Sequence, residues 1–132
     1  MKITSKTAEV QASPQKVYDF LADFNNFKHL FPEDRVEQVV CTNDTCSFRI
    51  KGLAEINMKI TDRSPSALIQ IASYEKNPFP FTLMVHINGT EATSEVHMVF
   101  DGEVNAMMKM MIERPLTNFF NMLIEHLPKL DW

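Results

Sequence analysis

Glycine is scarce in this sequence: 132 residues carry only three, where about 7% is usual. No GxSxG elbow and no phosphate-cradling loop can be found, and no pair of carboxylates falls within an apolar run. Two cysteines, Cys41 and Cys46, are the only thiols, and no CxxC, HxH or HExxH spacing exists. The four histidines are scattered, so neither a metal nor any other cofactor is expected. Basic residues are too few and too dispersed to form a footprint for nucleic acid or anionic membrane: 13 stand against 17 acidic ones, a net charge of −4. No run of 18 apolar residues occurs, so no integral membrane segment is expected. The first residues are polar and strand-like, unlike a signal peptide, and a cytoplasmic protein of one domain, residues 1–132, is the expectation.

What the chain has in quantity is methionine, nine in all, and ten phenylalanines. Methionine is flexible and polarisable, suited to surfaces that accept irregular shapes, although it also fills cores. Much of it lies in the C-terminal run from Asn105 to Leu130. There Met108, Ile112, Leu116, Phe119, Leu123 and Leu127 recur at spacings of three and four, with Met111, Phe120 and Met122 widening the stripe. That pattern predicts an amphipathic helix long enough to cross a small domain. Pro115 removes a backbone donor inside it, so a kink or a restart is expected there. Thioethers suit Cu(I), but Met107 and Met110 point away from Met108 and Met111 on a helix.

Ahead of this helix the period is mostly two. Residues 2–12 read as one strand, and Ser13-Pro14 opens a short helix carrying Val17, Phe20, Leu21 and Phe24. A second helical turn, with Phe27, Leu30 and Phe31, stops at Pro32. Alternating segments then follow from Val36 to Asp101, separated by tight turns at Thr42–Thr45, Lys51-Gly52, Arg63–Ser66, Asn77-Pro78 and Gly89. Turns this short force antiparallel pairing, with one face of the sheet buried and the other wet. The expected fold class is α+β: a curved antiparallel sheet of about seven strands wrapped around the long C-terminal helix.

This order resembles the START/polyketide-cyclase-like (SRPBCC) superfamily and its helix-grip fold, over nearly the whole chain. The residues that carry the resemblance are Ser13-Pro14, Val17-Tyr18-Asp19-Phe20-Leu21-Ala22-Asp23-Phe24, Phe31-Pro32, Asp62-Arg63-Ser64-Pro65 and Asn88-Gly89 through Thr93. They are signatures of fold, and none is catalytic. The resemblance implies a cavity between sheet and helix for a hydrophobic small molecule such as a lipid, a quinone or a polyketide.

Inward phases name the lining of such a cavity. From the strands come Phe48, Ile56, Met58, Ile69, Ile71, Phe81, Leu83, Val85, Met98 and Phe100, with Val39 on the same phase. The helix would add Met108, Met111, Ile112, Pro115, Phe119, Met122, Leu123 and His126. The alternative is that these side chains fill the space completely. Function therefore reads as binding or transport of a hydrophobic ligand without a recognisable catalytic apparatus. A cyclase or aromatase using His126, Ser73 or Glu75 for proton chemistry is the alternative, and a protein-interaction module built on the Met/Phe stripe is the second. His86 and His97 fall on the solvent face, and the two cysteines, cross-strand neighbours in a cytosolic setting, are expected as free thiols.

Overall fold

A computed structural model describes all residues 1–132. Strands β1 (Lys2–Thr4) and β2 (Ala8–Val10) precede helices α1 (Pro14–Leu21) and α2 (Phe24–Phe27) and a 3-10 turn at Lys28–Leu30. Six strands follow: β3 (Val36–Cys41), β4 (Thr45–Ile50), β5 (Ala54–Ser64), β6 (Leu68–Ser73), β7 (Phe81–Gly89) and β8 (Ser94–Gly102). Helix α3 (Ala106–His126) and a 3-10 turn at Leu127–Lys129 complete the chain. Every strand pairs antiparallel, in the order β1-β8-β7-β6-β5-β4-β3, with β2 also on β8. The fold is thus α+β, with the first strands returning to pair with the last.

Local chemistry accounts for the element starts. The Ser13 hydroxyl accepts from the Lys16 N–H at 3.2 Å, and Pro14 occupies the first helical position, where no N–H is needed. Asp23 caps α2 through the Asn25 N–H, and Asn105 caps α3 through the Met108 N–H at 2.8 Å. Arg63 fixes the end of α1 by donating to the Ala22 carbonyl at 3.1 Å and reaching Asp44 at 2.6 Å, which ties the helix to the β3–β4 hairpin.

The period-two pattern is obeyed most strictly in β7 and β8, where Phe81, Leu83, Val85, Ile87, Val96, Met98 and Phe100 are all buried. Three irregularities bend the sheet. Between β1 and β2 one extra residue enters opposite β8: Thr4 pairs with Val99 but Ala8 with Val96. The Ser5 hydroxyl takes up the Met98 N–H there at 2.8 Å, so the single strand expected over 2–12 is two short ones. A second bulge lies between Ile60 and Asp62. The third, in β3, has Gln38 at φ 55° and shifts the register between Glu37 and Val40. It turns Val39 outward, 38% exposed, so that residue does not join the concave face.

One contiguous cluster of 33 buried residues fills the concave side. Helix α3 contributes Leu116, Phe119, Phe120, Leu123 and Ile124, and α1 covers β6 and β7 with Val17 and Leu21. The long helix runs unbroken through Pro115, which leaves the Met111 carbonyl without its usual intrahelical donor. Its C-terminal half is tied down: the Lys6 N–H donates to Asn121 at 2.8 Å, Lys6 pairs with Glu125 at 3.1 Å, and the His126 ring meets the Leu30 carbonyl at 3.2 Å. Cys41 and Cys46 are direct cross-strand partners with Cα atoms 4.1 Å apart, and their sulfurs are joined as a disulfide. That corrects the expectation of free thiols: direct cross-strand pairing places the two side chains within bonding reach.

Candidate functional site

The space between sheet and helix divides into two parts. The inner one is a void of about 30 Å³ lined by fourteen hydrophobic residues and no polar one, large enough for a water but offering it no partner. Eight of the ten phenylalanines line it, which is why so little room remains. Phe119 lies near-parallel to Phe48 at 6.2 Å. The helical stripe sets Phe119 opposite Phe81 and Phe100, but it is Phe120 that meets Phe100, at 5.1 Å. The deep end of the grip is therefore close-packed.

The outer part is an open apolar groove of about 310 Å³ under the N-terminal half of α3. One wall is the start of β5, with Leu53, Ala54 and Ile56; the other is the β6–β7 link, with Pro78 and Phe79. Met107, Met108, Met111, Ile112 and Leu116 form the helical side. Ile56, Phe79 and Leu116 border both spaces, so they alone stand between groove and void.

Each wall is held by specific bonds. Asn77 donates from its amide to the carbonyls of Asn57 and Tyr74, both at 2.9 Å, and accepts the Asn57 N–H at 2.9 Å. This pins the link to β5 and sets the position of Pro78 and Phe79. The Glu103 N–H donates to the Pro80 carbonyl at 2.9 Å, closing the same link onto the end of β8. Gly102 lets the Phe79 ring approach: a Cβ there would come within 2.9 Å of it. On the helical side the Asn105 cap fixes where α3 begins.

Of the predicted lining residues, Phe48, Ile56, Met58, Phe81, Leu83, Phe100, Phe119 and Leu123 border the inner void. Met108, Met111 and Ile112 border the groove with Ile56. Pro115 and Met122 face a neighbouring recess instead. Ile69, Ile71, Val85 and Met98 are almost wholly buried and border neither space, because α1 packs on β6 and β7 and closes that end. His126 binds the Leu30 carbonyl, away from both. Leu53, Ala54, Pro78, Phe79, Asn105 and Met107 were not expected in the lining. Most lie outside any periodic segment, and an apolar Phe79 in a proline-broken link was the available signal.

The side chains considered for proton chemistry are otherwise engaged. The Ser73 hydroxyl accepts the Phe81 N–H at 3.0 Å, Glu75 is exposed, and His126 holds the last turn of α3 to the α2 region. On the convex face, opposite the groove, His86 and His97 stack with ring centroids 4.8 Å apart. Burial, then the charge of His97, holds His86 below its ordinary 6.5. No helix is long and apolar enough to cross a membrane.

Comparison with solved structures gives the frame for this geometry. A START superfamily protein from Mycobacterium smegmatis superposes with a TM-score of 0.69 at 12% identity, covering 98% of this chain and 99% of that one. The fold is the START-like helix grip. A Thermus thermophilus protein matches with a TM-score of 0.73 at 12% identity over 98% of this chain and 95% of its own. The Aha1 dimer from Colwellia psychrerythraea matches with 0.64 at 17% over 97% and 96%. At these identities the likeness is one of fold. No family model matches the sequence. No curated protein matches it either. Within the START-like frame, the groove lies at one end of the grip, where the first turns of α3 stand off the sheet.

Proposed function

We propose that this protein binds a small hydrophobic molecule in the groove beneath the N-terminal half of α3, without catalysing its conversion. The observation that carries this reading is the exposure of the groove's methionines. Met107 and Met111 are 74% and 70% exposed, beside Met110 at 86%, in a chain whose other large apolar side chains are buried or half-buried except in β3. A water-exposed surface rarely gathers apolar side chains in one concave place without a use for them. Covering one such side chain contributes about 1.5–3 kcal/mol. Three together supply on the order of 5–8 kcal/mol, which spans millimolar to micromolar affinity before ordering costs. Methionine adapts its three torsions to the guest, so the groove suits a flexible apolar chain better than one rigid shape.

The reading is tested with Nile red as a neutral reporter. Wild-type protein is expected to bind it saturably, with displacement by a neutral aliphatic alcohol, and Met108→Trp, which fills the groove, to abolish binding while leaving the circular dichroism unchanged. Binding that survives Met108→Trp, or no saturable binding at all, refutes the groove as the site.

A further inference from the structure

Beside the apolar groove lies a second recess of about 350 Å³, and the two share Leu53 and Met111. Its polar lining differs in kind: Arg35, Lys51, Arg114 and Asn118 face it, and no carboxylate does. The chain as a whole is acidic, with a net charge of −4, so a recess lined by cations alone runs against its overall balance. Backbone bonding sets two of the three side by side, since the Lys51 N–H donates to the Arg35 carbonyl at 2.9 Å. Arg114 comes from α3, three residues beyond Met111.

These cations are not neutralised within the protein. Lys51 and Arg114 take part in none of its five ion pairs. Arg35 reaches only its chain neighbour Asp34, at 3.8 Å, with the side chains 58% and 82% exposed, a pairing that contributes little. Other cations nearby do have partners: Lys109 has Glu113 at 3.7 Å, and Arg49 has Glu37 at 3.8 Å. An apolar groove thus ends at three cations, two without any counter-charge and one with only an exposed, weak partner. Guanidinium groups offer a planar fork that matches a carboxylate or phosphate.

We infer that the ligand is a single-chain amphiphile with one anionic head. Its apolar chain lies along Met107, Met108 and Met111, and its head meets Arg35, Lys51 and Arg114. The inference rests on the groove being the ligand site, and it adds the chemical class of what enters. A free amphiphile fits better than a membrane surface, because the cations line a recess adjoining the groove instead of a flat face.

Calorimetry with decanoate and with 1-decanol at low salt tests this on wild type, on the Lys51→Gln/Arg114→Gln double variant and on Lys109→Gln. All three replaced side chains are exposed, so the variants are expected to fold, with an unchanged circular dichroism spectrum as the check. Decanoate is expected to bind wild type about tenfold or more tightly than decanol, with that preference shrinking as salt is added. The double variant loses the preference and keeps decanol binding, and Lys109→Gln changes neither. Equal binding of both compounds, unaffected by the double variant, overturns the anionic head while leaving the groove standing. Failure of both to bind overturns the groove as well. Sedimentation with phosphatidylglycerol vesicles without decanoate binding also overturns the inference and assigns the cations to a membrane surface.

Discussion

Phe119→Ala measures how solid the inner grip is. The ring is 5% exposed, near-parallel to Phe48 at 6.2 Å, tilted on Phe31 at 6.2 Å and edge-on to Phe120 at 5.7 Å. Truncating a buried phenylalanine costs about 3–5 kcal/mol, made of lost transfer energy and the cavity left behind. The void already present is about 30 Å³. At about 24 cal/mol per Å³ it accounts for only ~0.7 kcal/mol. Little of the Phe119 surface therefore faces empty space, and nearly the full cost is expected: about 3–4 kcal/mol, a large share of a domain's ~5–15 kcal/mol. Urea unfolding followed by far-ultraviolet circular dichroism reads the loss, with Met110→Ala as a control expected to stay within about 0.5 kcal/mol. A loss below about 1 kcal/mol for Phe119→Ala would refute the close-packed interior and move the ligand space inward.

Ser94 is fully buried and its hydroxyl donates to the Ala12 carbonyl at 2.7 Å, so Ser94→Ala strands that acceptor and is expected to cost about 1–3 kcal/mol in the same unfolding assay; an unchanged midpoint contradicts it. His86 is held below 6.5 in the folded state, by burial first and His97 second, so the unfolded chain binds its proton more readily. The stability this contributes is present above about 6.5 and is lost as the pH falls toward the folded value. An NMR titration should show His86 titrating below 6.5, and His97→Gln should raise its midpoint only part of the way, because burial remains; a midpoint at or above 6.5 in wild type contradicts the direction.

The sequence carried the frame more legibly than the site. Leu116, Phe119, Leu123 and Leu127 advertise α3 through spacing alone, and the alternation from Phe81 to Ile87 and from Val96 to Phe100 advertises two strands and their inward faces. Bulges break that logic. An extra residue at Gln38 flips Val39 outward, and one at Ser5 divides the first strand, yet neither leaves a mark in hydrophobic period. Helical phase placed Met111 inward, but it is 70% exposed because the first turns of α3 stand off the sheet. Phase pointed to Phe119 as the ring opposite Phe100, but its neighbour Phe120 holds that place. The groove's walls were the least legible part: Pro78, Phe79 and Leu53 are placed by the Asn77 bonds and by a turn, and these are contacts between segments distant in sequence.

The nine methionines provide the most direct test, because they are distributed over every environment the groove must be told apart from. With methyl-carbon-13 methionine, addition of 1-decanol should shift the Met107, Met108 and Met111 signals together along one saturable curve. Met84, on the convex face, and Met98, deep in the core at 1% exposed, should stay in place. Shifts confined to Met84, spread evenly over all nine, or absent throughout would contradict a ligand site beneath α3.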